Sequence, residues 1–199
     1  MVGYLIYLGR YLRERFTFWP WGILPIYTYL IGKRSQSSIE FALLLNLYLG
    51  FLLFRAMDDY GCWQEDQTNN KSMAYLRPED KPVLKFWVFA FMIAYTLSSL
   101  LLLTPMMVGF MIAVLMVSLL GYRILKHPFP SYVALLKYPL FIFIVSQTTN
   151  DIFWPWGVIG SLLFIARGFF NDILIFRNQR IEISIFGILL FLKYFIGAQ

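Results

Sequence analysis

The run FRAMDDYGCWQED, Phe54 to Asp66, sets Arg55 ahead of the carboxylates Asp58, Asp59, Glu65 and Asp66. A hard cation such as Mg²⁺ prefers oxygen ligands. Bridging carboxylates to phosphate oxygens, it neutralises the charge that leaves when a diphosphate ester ionises. Arg and Lys add charge-assisted hydrogen bonds to the same oxygens. If a helix continues through the run, Asp58, Cys62 and Asp66 recur every fourth residue on one face, with Asp59 and Glu65 as neighbouring alternatives. Lys71 and Arg77 follow in the next polar stretch. With Glu79 and Asp80, this region holds more than half of the 11 acidic residues of a chain that is 59% hydrophobic. The expectation is a diphosphate–Mg²⁺ site, with Asp58, Asp59 and Asp66 as its centre. The competing reading is a solvated loop with no ligand.

The segments that would position this site are apolar. Only 14% of the 199 residues are charged and 20% are aromatic, against about 25% charged in soluble domains. Repeated continuous runs near the spanning length predict a polytopic α-helical membrane protein rather than a β-barrel. A single cysteine, Cys62, excludes an intramolecular disulfide and a Cys-cluster metal site. His127 is the one histidine, which excludes His-based zinc or haem sites. The net charge of +6 fits loops facing anionic lipid better than nucleic-acid binding, and no nucleic acid is expected as a partner. No cleavable signal peptide is evident.

In chain order, residues 1–15 read as an amphipathic interfacial helix, with Tyr4, Tyr7, Leu8, Tyr11 and Leu12 on one face. Spans are expected over Phe16–Ile31 (broken by Pro20 and Pro25), Ile39–Met57, Pro82–Leu103, Pro105–Tyr122, Ser131–Ser146, Trp154–Arg167 and Ile181–Ile196. They form one transmembrane domain over residues 1–199, with a cytoplasmic acidic loop at 58–81. The loops after spans two, four and six carry Lys71, Arg77, Lys81, Arg123, Lys126, Arg177 and Arg180. The loops after spans three and five carry neither Lys nor Arg. Basic loops stay inside, so the N-terminus is expected in the cytoplasm and the C-terminus outside, in an inner or plasma membrane. Lys33-Arg34 is the one exception. Both acidic helix ends, Asp58-Asp59 and Asn171-Asp172, then share the cytoplasmic face. Each has an Arg three to five residues ahead of it, Arg55 and Arg167.

These features resemble the UbiA superfamily of intramembrane prenyltransferases. Its first motif sets spaced acids at the cytoplasmic end of the second helix, where FRAMDDYGCWQED stands. Leu76-Arg77-Pro78 is similar to the basic-Pro element that follows, and YLRERF to the opening of some bacterial members. The likeness covers residues 10 to 175 and seven of the usual nine helices. It implies an all-α UbiA-like bundle that binds a prenyl diphosphate through Mg²⁺ and transfers the prenyl group to an acceptor. Asp58, Asp59 and Asp66 would be catalytic metal ligands, joined by Asp172. Arg55, Lys71 and Arg77 would hold the diphosphate, with Lys137 and Arg167 as further contacts that could equally snorkel to headgroups. Tyr60, Tyr122 and Tyr138 are candidates to line a cation-stabilising cavity. Cys62 stands where the middle acid belongs and is a poor Mg²⁺ ligand, and the second motif is reduced to Asn171-Asp172. The alternative expectation is therefore a catalytically degenerate UbiA-like membrane subunit or lipid-binding scaffold, with a membrane-protein partner. Lipid-phosphatase, CDP-alcohol phosphotransferase, Walker, dinucleotide and G-x-S-x-G signatures are absent.

Overall fold

A backbone polar group left bare in hydrocarbon costs several kcal/mol, so a chain this apolar satisfies its peptide groups within helices. The computed structural model describes residues 2–16, 22–32, 40–68, 77–124, 136–148, 156–169 and 179–196, and among them every regular element is helical. The helices are α1 (Val2–Arg15), α2 (Leu24–Gly32), α3 (Phe41–Gly61), α4 (Trp63–Thr68), α5 (Lys81–Leu102), α6 (Pro105–Ile124), α7 (Lys137–Thr148), α8 (Trp156–Phe169) and α9 (Gln179–Ile196). A 3₁₀ turn at Pro78–Asp80 leads into α5.

Three of these helices are long and apolar enough to cross a membrane: α3, α5 and α6 as far as Tyr122, with mean hydropathies of 1.5, 1.7 and 2.0. They are the second, third and fourth of the seven expected spans. The other four expected spans coincide with shorter or more charged helices. The described parts of α2, α7 and α8 are 9, 12 and 14 residues long, short of the ~20 that hydrocarbon requires. At 18 residues, α9 carries Arg180, Glu182 and Lys193. The described part of α2 begins one residue before a proline. Pro25 sits in its first turn, where a missing N–H is tolerated, and Pro20 lies outside the described residues. Proline sets the turn between α5 and α6. Leu103 is extended (φ −111°, ψ 156°), Thr104 is kept from helical geometry by Pro105, and α6 starts on that proline.

The core is centred on α2, which is buried on nearly all sides and packs on α3, α7, α8 and α9. Lys193 of α9 is buried and directs its ammonium at the carbonyls of Leu30 and Ile31, 2.7 and 2.5 Å away. It thus satisfies acceptors that the end of α2 leaves open. The most extensive pairing is α3 on α5. Within it Asn46 donates to the hydroxyls of Ser98 and Ser99 at 2.7 and 2.9 Å, interhelical hydrogen bonds of the kind that hold apolar helices in register. Four of the five residues expected on one face of α1 are turned into the protein, whereas Tyr4 is exposed. Tyr7 and Tyr11 are buried, and Leu8 and Leu12 partly so. Tyr4 meets Phe86 of α5 edge-on at 5.0 Å, and the Trp87 indole donates to the Tyr4 carbonyl at 3.1 Å. α1 therefore lies along the first turns of α5, beside the acidic end of α3.

Candidate functional site

The last turn of α3 carries Asp58 and Asp59, one residue apart and so about 100° apart around the helix. Asp59 points inward and is 1% exposed. A buried carboxylate needs partners, and α1 supplies them. The Tyr11 hydroxyl donates to Asp59 Oδ2 at 2.8 Å, and Arg15 grips both oxygens, with Nε 2.9 Å from Oδ2. Arg55 Nη2 adds a third contact, 2.8 Å from Oδ1. Asp58 is more open, its side chain 23% exposed. It accepts from the Tyr122 hydroxyl of α6 at 2.8 Å and lies 3.4 Å from Arg55 Nη1. Burial and then the facing Asp59 carboxylate push the Tyr11 pKa well above its usual 10.0, so Tyr11 stays a donor. Two carboxylates and two guanidiniums make a neutral knot. A third pair, Arg10 with Asp80, ties α1 to the turn before α5.

The helix continues through the acidic run, with a break at one residue. Cys62 ends α3 at φ −91°, ψ 10°. Its N–H still donates to the Asp58 carbonyl, and Asp66 N donates to the Cys62 carbonyl, both at 2.9 Å. Asp66 is brought to the same end of the bundle and is 8% exposed.

On the other side of this turn lies a cavity of about 440 Å³. α3 lines it with Met57, Tyr60 and Gly61, and α4 with Trp63 and Gln64. α5 contributes Lys81, Lys85, Val88, Phe89 and Met92, and α6 contributes Leu119 and Tyr122. Glycine at position 61 is a spatial requirement, because a Cβ there would stand 2.4 Å from Cδ1 of Tyr122 and 2.7 Å from its Cγ. The tyrosine can therefore lie over the helix end and reach Asp58. Lys81 Nζ sits 5.8 Å from the Tyr60 ring centroid, within cation–π range. A second apolar hollow of about 310 Å³ shares the walls Met92 and Leu119 and runs on between α5 and α6 to Leu97 and Ile112. The volumes fall in the ~300–1,000 Å³ range of ligand sites, which are mostly apolar with a few convergent polar groups.

The expected site residues divide between these two places. Arg55, Asp58 and Asp59 come together in the knot, and Asp66 lies nearby. Tyr60 and Tyr122 line the cavity as expected, whereas Tyr138 packs on Phe51 at 5.9 Å instead. Lys137 opens α7, 6% exposed, 5.4 Å from the Tyr138 ring, and takes no part in the cavity wall. Arg77 is exposed ahead of the 3₁₀ turn. Lys71 and Asp172 lie outside the described residues, as do Lys126, His127 and Asn171; so does the side chain of Arg167. Sequence reasoning did not assign Tyr11, Arg15, Trp63, Lys81 or Lys85 to the site, although it placed Tyr11 on the face of the first helix and Lys81 among the basic loop residues. For the lysines a signal was present, an i,i+4 cationic pair in the first turns of an apolar helix. For Tyr11 and Arg15 there was none, since they meet Asp59 across more than forty positions.

Mg²⁺ requires carboxylate oxygens free to coordinate it. Among the described residues there is no group of three or more His, Cys, Asp or Glu side chains arranged to hold a metal. Asp59 has both oxygens engaged by Arg15, and Asp58 has one oxygen on Tyr122 and the other facing Arg55. As they stand, these residues do not fit a resident Mg²⁺. Compared with known proteins, the sequence matches no family model, no curated protein and no solved structure.

Proposed function

We propose that the chain is a UbiA-like intramembrane prenyltransferase, a seven-span bundle with its N-terminus in the cytoplasm, acting on an isoprenoid diphosphate. One observation carries the reading: Tyr60, Trp63 and Tyr122 line a single cavity at the acidic end of α3, and Tyr122 is hydrogen-bonded to Asp58 at 2.8 Å. In prenyl transfer the C–O bond to the diphosphate breaks, and the leaving group takes the electron pair. The allylic cation that remains is captured by a nucleophilic acceptor, which then loses a proton. Aromatic faces stabilise such a cation without trapping it. The hydrogen bond to Asp58 fixes Tyr122 in the cavity wall. The apolar walls exclude water, which would otherwise quench the cation.

A second reading, binding without transfer as a subunit or lipid scaffold, is favoured by the closed state of Asp59. Pyrophosphate release by the full chain in lipid nanodiscs, from a panel of prenyl diphosphates with and without Mg²⁺, separates the two. On the first reading release occurs and Asp58→Asn abolishes it. Saturable binding of the same diphosphates with no release under any condition selects the second.

A further inference from the structure

We propose that Lys81 and Lys85 form a metal-independent seat for the phosphate head of a single-chain amphiphile whose tail lies between α5 and α6. The inference deepens the reading above by naming what holds the headgroup. It starts from the charge balance at this end of the bundle. Asp58, Asp59 and Asp80 are each engaged by an arginine, namely Arg55, Arg15 and Arg10. Among the described residues, neither Lys81 nor Lys85 has a carboxylate within ion-pair distance. The cavity wall facing away from the knot is therefore cationic.

The two ammonium groups are one turn apart on one face of α5, and both line the cavity. Below them that face turns apolar through Val88 and Met92, then passes into the second hollow as far as Leu97. From Lys81 to Leu97 is sixteen residues, roughly 24 Å at the α-helical rise. A site that is cationic at one end and continuously apolar for that length is complementary to one long tail carrying a phosphate or diphosphate. An ammonium supplies three donors to phosphate oxygens without a bridging metal. This resolves the misfit of Mg²⁺ with the carboxylates: the charge that metal was expected to neutralise meets lysine instead.

The test is calorimetric titration of the full chain in zwitterionic nanodiscs containing EDTA, with farnesyl monophosphate as the probe. Farnesol lacks the charge, inorganic pyrophosphate lacks the tail, and phosphatidylglycerol placed in the nanodisc serves as a two-chain competitor. Farnesyl monophosphate is expected to bind, and the two partial probes to bind much more weakly. Lys81→Gln with Lys85→Gln should weaken binding by roughly tenfold per ammonium lost. Lys81→Arg with Lys85→Arg should restore most of it, which shows that charge and not folding was removed. Three outcomes would overturn the proposal: strict dependence on Mg²⁺, equal affinity of the double Gln variant, or displacement by phosphatidylglycerol, which would make the groove a general lipid contact. Pyrophosphate release that needs Mg²⁺ without binding in EDTA sinks this inference and leaves the proposed function standing. Binding in EDTA without release does the reverse.

Discussion

The final turn of α3 has two sides, and they have solved opposite problems. Toward α1, buried carboxylates are matched by Arg15, Arg55 and Tyr11 until no charge is left over. Toward α5 and α6, two lysines border an apolar space and no described carboxylate answers them. A charge satisfied inside the protein is a structural element, because moving it would expose its partner unpaired. A charge left unsatisfied beside a cavity is available to a ligand. Asp58 and Asp59, at the head of the richest concentration of acids in the sequence, thus form an internal joint, and the lysines that drew less notice face the open space.

The comparison can be broken at its strongest point first. Asp59→Ala would leave Arg15 and Arg55 facing a buried gap, and loss of one partner of a buried pair costs about 3–5 kcal/mol. The midpoint of thermal unfolding in detergent should fall steeply. If the carboxylate instead belonged to an open metal site, its removal would relieve repulsion with Asp58, and the midpoint would hold or rise.

Tyr11→Phe removes a hydrogen bond to a charged acceptor and is expected to cost about 1.5–3 kcal/mol. This variant also has a pH signature. The folded pKa of Tyr11 is raised above the unfolded value, so its contribution is complete below about pH 10 and is lost as pH rises through the folded value. Wild-type unfolding should grow more favourable as pH rises from about 10 towards the folded value, and Tyr11→Phe should flatten the dependence. An unchanged alkaline slope would mean that Tyr11 is not part of the joint.

The smallest effect tests whether the two sides are linked. Gly61→Ala forces the Tyr122 ring aside, an overpacking of about 1–3 kcal/mol, and should pull its hydroxyl from Asp58 while narrowing the cavity. Stability and farnesyl monophosphate binding should fall together. Loss of one without the other would show that Tyr122 serves a single side.

Much of the fold was legible because it follows from local rules. Apolar runs of spanning length gave α5 to within one residue at each end, α6 to within two and α3 to within four. The Thr104-Pro105 pair gave the turn between the last two, and helical spacing put Tyr7 and Tyr11 on one face of α1, which is buried against the protein. The full set of seven spans was less legible. Among the described residues three of the seven are long and apolar enough to span, and the other four border residues outside that set. At the site, position along the chain predicted that Asp58 and Asp59 would end a buried helix beside Arg55. It did not predict their state, since Arg15 and Tyr122 come from distant helices.

The sequence by itself determined that this chain is helical, apolar and acid-bearing at one helix end, because periodicity and hydropathy act between near neighbours. Only the tertiary structure decided which charges cancel and which remain. That sum runs over groups within a few ångströms in space, and here they come from α1, α3, α5 and α6, whose separation along the chain carries no information about their approach.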